Sequence, residues 1–325
     1  MQEEDINVLL SKINALKAEI SKVIVGQTEV IDQLIVGLIA GGHVLLEGVP
    51  GLAKTLMIKS LSQALSLDFN RIQFTPDLMP SDILGTEILQ QDDNGQRTFK
   101  FNKGPVFTNI LLADEINRTP PKTQSALLEL MQEYGLTYAG HRYDLDRPFF
   151  MLATQNPIEQ SGTFPLPEAQ VDRFLLHIKV NYPSAQEEVD ILKQTTGTSR
   201  HTINPVLHAE DILSLQELCR EVHIDDLLIK QISELIRSTR PQESSDSYTK
   251  KYLDWGAGPR AGQALILSSK AYALARGRYA VTPHDIETMI LPTLRHRLIL
   301  NFQADADQVT IDKITNHLLQ EYKIG

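Results

Sequence analysis

Apolar residues near the start of the chain recur at the spacing of one helix face. Ile6, Leu9, Ile13, Leu16 and Ile20 follow one another at alternating spacings of three and four residues. This pattern predicts an amphipathic helix that docks on the body of a globular domain. A second helix is predicted over Thr28–Ile39, and it ends before a pair of glycines.

Several short apolar runs follow, and they lack the alternation of a strand that is exposed on one face. They lie at His43–Leu46, Asn70–Phe74, Asn109–Ala113, Phe149–Ala153 and Phe174–Val180. Strands that are apolar throughout are typical of a parallel sheet. Because helical patterns separate the runs, we predict an α/β domain in which helices cover both faces of the sheet.

Two hairpins are predicted between these strands. The first has strand-like runs at Thr86–Leu89 and Arg97–Phe101, on either side of Asp92-Asp93-Asn94-Gly95, where Asn-Gly favours a tight turn. The second has runs at Leu136–Ala139 and Arg142–Leu145 around Gly140-His141.

From Ser184 onward the pattern becomes helical. Ser184 and Glu187 form a capping box, and we predict a domain boundary there, with residues 1–183 before it and residues 184–325 after it. Helices are predicted at Ser184–Gln194, Glu210–Val222, Asp225–Ser238, Pro259–Ala275, Pro283–Pro292 and Asp307–Tyr322. The polar stretch Arg240–Gly258 predicts a long loop that is either mobile or functional.

The most specific motif lies between the first predicted strand and the helix that follows it. It reads Gly48-Val49-Pro50-Gly51-Leu52-Ala53-Lys54-Thr55 and continues into Leu56. The glycines allow turns that direct backbone N–H groups at phosphate oxygens. Lys54 would reach the β- and γ-phosphates, and the hydroxyl of Thr55 would coordinate Mg²⁺. The run therefore predicts a nucleotide site formed by Gly48 through Leu56.

One position departs from the common pattern of such a loop. Ala53 stands where a third glycine is usual. Its methyl group predicts a negative φ at the start of the helix.

Polar residues at two other strand ends complete the predicted site. Asp114 and Glu115 follow an apolar strand, and Asn156 follows the next one. Asp114 would hold Mg²⁺ directly or through water, and Glu115 would orient or deprotonate the attacking water. Asn156 would hydrogen-bond the same water or the γ-phosphate.

Two arginines are further candidates. Arg173 is either a surface arginine paired to a carboxylate or a functional group. Arg260 follows Pro259, which suits the first helical position, so it should lie in the first turn of a helix. Because the helix dipole disfavours a cation there, an anion such as the γ-phosphate is a candidate partner.

Composition narrows the functional classes. The 325 residues carry a formal net charge of −10 with no run of Lys or Arg, which argues against nonspecific binding to nucleic acid or to anionic membranes. The single cysteine, Cys219, excludes an internal disulfide. The start of the chain is acidic and lacks a signal pattern, and no apolar run is long enough to span a membrane, so a cytoplasmic location is expected.

In this order and spacing, the motifs resemble those of the AAA+ ATPases. Their amino-acid sequences are similar to those of the MoxR branch. The segments that carry the resemblance are Gly51–Thr55, Gly104–Phe107, Ala113–Arg118, Ala153–Pro157 and Leu166–Gln170. The resemblance covers nearly the whole chain, and that branch has an alanine at the position of Ala53.

The resemblance implies a P-loop αβα core with a five-stranded parallel sheet, followed by an all-helical lid. The first hairpin would be the insertion in helix 2 of this clade, and the second its pre-sensor hairpin. Val25, Gly26 and Gln27 would line the adenine pocket. Asn156 would be sensor 1, Arg260 sensor 2, and Arg173 the arginine finger supplied to a neighbouring subunit.

The resemblance also implies cofactors and partners. ATP and Mg²⁺ would be bound, and family members typically form hexameric rings. Many act as chaperone-like remodelling or maturation factors alongside proteins with von Willebrand factor A domains. No Asp-x-Ser-x-Ser motif is present, so such a domain would belong to a separate protein. Two alternatives stay open: a chelatase-type motor subunit for metal insertion, and a nucleic-acid motor or loader, which the acidic charge disfavours.

Overall fold

The computed structural model describes residues 3–91, 97–158, 162–198, 201–322 and 324. The predicted turn Asp92-Asp93-Asn94-Gly95 lies outside the described residues. Helices and strands are interspersed up to the last strand of the central sheet. They are α1 (Glu3–Ser21), α2 (Thr28–Ile39), β1 (Val44–Glu47), α3 (Lys54–Ala64), β2 (Phe69–Gln73), α4 (Pro80–Leu84), β3 (Gly85–Gln91), β4 (Arg97–Lys103), β5 (Ile110–Asp114), α5 (Pro121–Glu133), β6 (Gly135–Tyr138), β7 (His141–Asp144), β8 (Phe150–Gln155), α6 (Glu168–Val171) and β9 (Leu176–Lys179).

Five strands form the central sheet in the order β2-β5-β8-β1-β9, and all neighbouring pairs are parallel. Every residue of β5 is buried, as expected for a strand covered on both faces. The predicted α/β fold is therefore confirmed. In a parallel sheet all carboxyl ends meet at one edge, which we call the carboxyl edge. The opposite edge, at His43 and Phe174, is called the amino edge.

Both predicted hairpins are present as antiparallel strand pairs. In the first, β3 pairs with β4, and in the second, β6 pairs with β7. The hairpins contact each other through stacked rings of Phe101 and Tyr143, whose centroids lie 4.2 Å apart.

Helices dominate the rest of the chain, which we call the lid. Its elements are α7 (Ala185–Thr196), α8 (Ala209–Glu221), α9 (Asp226–Ser238), α10 (Ser247–Tyr252), β10 (Leu253–Trp255), α11 (Pro259–Leu274), α12 (Pro283–Leu294), β11 (Ile299–Leu300), α13 (Phe302–Ala306) and α14 (Ile311–Glu321). The capping box at Ser184 is confirmed, because its hydroxyl accepts a hydrogen bond from the backbone N–H of Glu187.

The lid differs from the prediction in two places. The stretch predicted as a loop contains α10, which begins where the Asp246 carboxylate accepts hydrogen bonds from two backbone N–H groups, and β10, which pairs with β11. The lid is thus helical apart from this small sheet. The single helix predicted over Asp307–Tyr322 is wrong at its start, because Gln308 has a φ of 52°. That left-handed residue separates α13 from α14.

The lid packs directly on the first part of the chain. Helices α8 and α11 contact α2, and α12 contacts β9. Buried apolar residues from both parts, such as Leu34 and Leu265, belong to one continuous cluster. This packing places the start of α11 near the amino edge of the sheet.

Candidate nucleotide site

The loop between β1 and α3 has the geometry of a phosphate-binding loop. Gly51 has a φ of 87°, in the left-handed region that glycine adopts without strain. A Cβ on Gly48 would lie 2.9 Å from the carbonyl oxygen of Val180, so only glycine fits there. Helix α3 begins at Lys54, and Thr55 and Leu56 therefore lie in its first turn.

The conformation of Ala53 corrects the sequence prediction. Its φ is 54° and its ψ is 23°, so the residue is left-handed and the predicted negative φ is wrong. For an L-residue with a Cβ this conformation costs about 1–2 kcal/mol. The loop closure between β1 and α3 imposes that strain, as is common where a backbone is held for ligand binding.

Lys54 is directed into its own loop. Its Nζ donates to the carbonyl oxygen of Gly48 and, at 3.4 Å, to that of Val49. Burial lowers the pKa of Lys54, while the charges of Asp114 and Glu115 oppose that shift. The ammonium group therefore lies against the loop carbonyls, within the electrostatic influence of the two acids.

Asp114 is held at the carboxyl edge by two neighbouring strands. Its Oδ1 accepts a hydrogen bond of 2.5 Å from the hydroxyl of Thr154 on β8. Its Oδ2 accepts from Nε and Nη2 of Arg71 on β2, at 2.9 and 2.7 Å. The residue is only 8% exposed, so its orientation is fixed.

Glu115 follows in a left-handed conformation with a φ of 58°. Its backbone N–H donates to the hydroxyl of Thr154 at 2.8 Å, and this bond stabilises the unusual backbone. Its Oε2 accepts from Nε2 of Gln73 at 2.7 Å and lies 3.1 Å from Nε of Arg118. Thr154 thus orients both acids at once.

Asn156 lies beside them at the end of β8 and is 5% exposed. Its Oδ1 accepts a weak bond of 3.3 Å from the backbone N–H of Ile158. Its Nδ2 is buried and has no hydrogen-bond partner among the described residues. An unsatisfied buried donor costs about 1–3 kcal/mol, so this amide group is placed to bind a polar ligand.

A cavity of about 330 Å³ adjoins the phosphate loop. The residues predicted for the adenine pocket meet here, because Val25 and Gln27 line the cavity together with Pro50, Leu52 and Leu56. Gly26 has a φ of 68° and places these neighbours on either side of the bend. Helix α7 forms the opposite wall, and mainly apolar walls suit a flat base.

The two predicted arginines lie elsewhere. Arg173 and Arg260 both line a second cavity, of about 320 Å³, that also contains His43 and Phe174 at the amino edge. Arg260 lies 3.7 Å from the carboxylate of Asp172. Nε of Arg173 is buried without a partner among the described residues, and its Nη1 donates to the carbonyl oxygen of Leu128 at 3.3 Å. The structure therefore brings the arginines together but separates them from Lys54 by the length of β1.

Arg297 is a residue of this second cavity that sequence reasoning missed. Its guanidinium donates to the Asp172 carboxylate at 2.8 Å and to the Phe174 carbonyl oxygen at 2.7 Å. Burial lowers the pKa of Arg297, and the carboxylate of Asp172 opposes that shift. This buried contact fixes the lid to the segment that carries Arg173.

Arg71, Gln73 and Thr154 were also missed. Thr154 had a signal, because it lies two residues before Asn156 at the same strand end. Arg71 and Gln73 lie on β2, and only the strand order places them beside the acids. Arg297 had no local signal.

Comparisons with known proteins agree with this geometry. The sequence profile of the ATPase family associated with various cellular activities (AAA) matches residues 43–176, and that of the AAA lid domain matches residues 245–318. Chaperone MoxR1 of Mycobacterium tuberculosis is 43% identical over 303 residues, which cover 93% of this chain and 79% of that protein. The chain belongs to the MoxR family of AAA+ ATPases.

Two further similarities cover the whole length of this MoxR-family chain. The uncharacterized protein YeaC of Bacillus subtilis is 41% identical over 323 residues, which cover 99% of this chain and 97% of that protein. A crystal structure of a Cytophaga hutchinsonii protein has a TM-score of 0.92 and 43% identity, and it covers 99% of this chain and 98% of its own. Among the described residues, no helix is both long and apolar enough to cross a membrane.

Proposed function

We propose that this MoxR-family protein hydrolyses ATP in a Mg²⁺-dependent reaction. The observation that carries the proposal is the buried Nδ2 of Asn156, which has no hydrogen-bond partner in the part of the chain that the structure describes and lies at the edge that carries Asp114 and Glu115. A buried donor, a half-buried ammonium group and two carboxylates fit a triphosphate with its metal ion.

The residues take distinct roles in this proposal. The N–H groups of the loop from Gly48 to Thr55 bind the phosphates, and Lys54 donates to the β- and γ-phosphate oxygens. Thr55 and Asp114 would hold Mg²⁺, which when bound offsets the negative charge of the phosphates. The base occupies the cavity beside Val25, Gly26 and Gln27.

Glu115 acts on the attacking water. Its carboxylate exchanges the amide of Gln73 for a water molecule, orients that water and accepts its proton. Nδ2 of Asn156 donates to the same water or to the γ-phosphate. Thr154 keeps both acids in position, because its hydroxyl bonds the side chain of Asp114 and the backbone of Glu115.

The arginines act on the nucleotide of a neighbouring copy. Arg173 and Arg260 share a cavity at the amino edge, whereas Lys54 follows the other end of β1. A head-to-tail ring brings the amino edge of one subunit to the carboxyl edge of the next, and we propose a hexamer. Arg173 then serves as the finger and Arg260 as the second sensor.

We further propose that turnover remodels or matures partner proteins. Residues 1–183 would form the ATP-binding domain and residues 184–325 the lid. The name of its relative Chaperone MoxR1 supports a chaperone-like role. A von Willebrand factor A domain protein is the class of partner that we propose.

The substitution Glu115→Gln tests the reaction. It removes the base but keeps the metal carboxylate, so ATP should bind with nearly wild-type affinity while phosphate release slows by about 10²–10⁴-fold. Calorimetry with ATP and Mg²⁺ and a phosphate-release assay measure the two quantities. A turnover equal to that of the wild type would remove Glu115 from the mechanism.

The substitution Lys54→Ala tests the phosphate loop itself. It removes the cation that faces the β- and γ-phosphates, so both nucleotide affinity and turnover should be lost. Lys59→Ala, on an exposed position of the same helix, is the control and should change neither. Unchanged calorimetric binding by Lys54→Ala would overturn the assignment of this site.

A further inference from the structure

Arg71 places a cation on the carboxylate that the proposed metal site needs. Its Nε and Nη2 both donate to Oδ2 of Asp114, while the hydroxyl of Thr154 donates to Oδ1. Both oxygens of Asp114 therefore carry donors. Nothing in the motif around Asp114 indicates this contact, because Arg71 belongs to a different strand.

Strand order explains the position of Arg71. In the β2–β5 register, Arg71 lies opposite Leu112 and Gln73 lies opposite Asp114. Side chains two residues apart on a strand share one face, and Nη2 of Arg71 also bonds Oε1 of Gln73. Both acids are thus held from β2, Asp114 by a cation and Glu115 by an amide.

The charges of Arg71 and Asp114 determine how their contact affects the binding of a metal ion. A guanidinium group that donates twice to Oδ2 uses the lone pairs of that oxygen and cancels much of the attraction of the carboxylate for a second cation. The side chain of Arg71 is 44% exposed, whereas that of Asp114 is 12% exposed. Arg71 can therefore move into solvent at small cost, while Asp114 stays in place.

We propose that Arg71 is a positioning residue that reserves Asp114 for the metal that arrives with nucleotide. It holds the carboxylate in one orientation, and it competes with Mg²⁺ for Oδ2. Mg²⁺ alone then binds poorly, whereas Mg²⁺ with the phosphates brings additional ligands and displaces the guanidinium. This inference rests on the proposed function, because it requires Asp114 to serve the metal of ATP.

The experiment measures metal binding rather than turnover. The affinity of a fluorescent ADP analogue is determined over a range of Mg²⁺ concentrations for the wild type and for Arg71→Gln. The Mg²⁺ concentration at half-maximal effect should fall by about two- to tenfold in the variant, as expected for the loss of a partly exposed ion pair. Affinity in EDTA should stay unchanged, because the phosphate loop is intact.

Arg118→Gln is the matched control. Arg118 also carries a positive charge beside the acids, with a side-chain exposure of 40%, but it pairs with Glu115. Its loss should leave the Mg²⁺ midpoint unchanged. Arg71→Lys retains the charge but cannot place the two N–H groups of a guanidinium on one oxygen, so the Mg²⁺ midpoint should fall by less than in Arg71→Gln. If Arg71→Gln does not fold, Arg71→Lys is used for the test instead.

Three results would overturn the inference. They are an unchanged midpoint in Arg71→Gln, a raised midpoint, and an equal fall in Arg118→Gln, which would indicate a general effect of charge. A wild type that binds no ADP at any Mg²⁺ concentration would instead overturn the proposed function, and with it this inference. Wild-type binding with an unshifted variant overturns the inference alone.

Discussion

Charged side chains at the carboxyl edge and at the amino edge of the central sheet differ in how fully they are hydrogen-bonded. At the carboxyl edge, Asp114 is bonded by Arg71 and Thr154, and Glu115 by Gln73. At the amino edge, Nε of Arg173 is buried without a partner among the described residues, and Arg260 reaches Asp172 only at 3.7 Å. Among the described residues, the two acids at the carboxyl edge are therefore bonded within the chain, whereas at the amino edge Arg173 has a buried donor left for an anion.

This difference indicates where each edge obtains its ligand. A carboxylate whose orientation is set by a buried hydroxyl, as Thr154 sets that of Asp114, is preorganised for a ligand bound by its own subunit. A buried guanidinium nitrogen without an acceptor is costly unless an acceptor arrives. A group from outside the subunit would supply that acceptor at the amino edge, which is the basis for proposing that Arg173 acts on a neighbouring copy.

The substitution Arg173→Ala has the largest expected effect on turnover, and it tests the difference between the two edges most directly. Under the proposal the variant binds ATP nearly normally, but its turnover falls by about 10³–10⁵-fold, the range observed for arginine fingers. Calorimetry and phosphate release measure the two effects. Wild-type activity per subunit should also rise with protein concentration, because an isolated subunit lacks its neighbour's arginine.

A mixture of two inactive variants tests more directly whether Arg173 acts between subunits. Arg173→Ala retains an intact phosphate loop, and Lys54→Ala retains an intact finger, so a mixture of the two inactive proteins should regain part of the activity. If turnover per subunit stays flat across the dilution range in which assembly is lost, Arg173 does not act between subunits.

A smaller effect separates the two lid arginines that contact Asp172. The side chain of Arg297 is 3% exposed in its pair with Asp172, whereas that of Arg260 is 54% exposed. Arg297→Leu should lower the free energy of unfolding by about 1–3 kcal/mol, because the buried carbonyl oxygens that Arg297 bonds lose a donor. Arg260→Leu should cost at most about 1 kcal/mol and should mainly reduce turnover. Urea unfolding of both variants measures the contrast, and equal stabilities would contradict it.

The smallest effect concerns backbone strain at the carboxyl edge. Ala53→Gly should raise the free energy of unfolding by about 0.5–1 kcal/mol, because glycine adopts the observed positive φ without strain but gains entropy in the unfolded chain. Ala126→Gly, within α5, is the control and should lower it by about 1 kcal/mol. Loss of stability in both variants would show that the loop does not strain Ala53.

The sequence predicted those parts of the site that depend on local order. The bounds of α2 match the predicted helix, and the phosphate loop and the two acids lie where strand ends were expected. Arg71 could not be assigned, because its contact with Asp114 requires β2 to lie beside β5. The left-handed Glu115 depends on the hydroxyl of Thr154 from another strand. The positive φ of Ala53 depends on how the loop closes between β1 and α3. The conformational preference of alanine alone therefore could not predict it.

Asp172 joins the lid to the amino edge more closely than its position in the sequence suggests. Its carboxylate contacts Arg297 and Arg260 from the lid, and its peptide bond leads directly to Arg173. The proposed finger, Arg173, is therefore a neighbour of Asp172 in the first part of the chain, while the proposed second sensor, Arg260, reaches the same aspartate from the lid. In the proposed ring, a partner protein that tilted the lid would move Arg260 away from Asp172, while Arg173 would stay in place. A neighbouring nucleotide would then meet two charges in one position of the lid and a single charge in the other, so each interface would report where the lid stands.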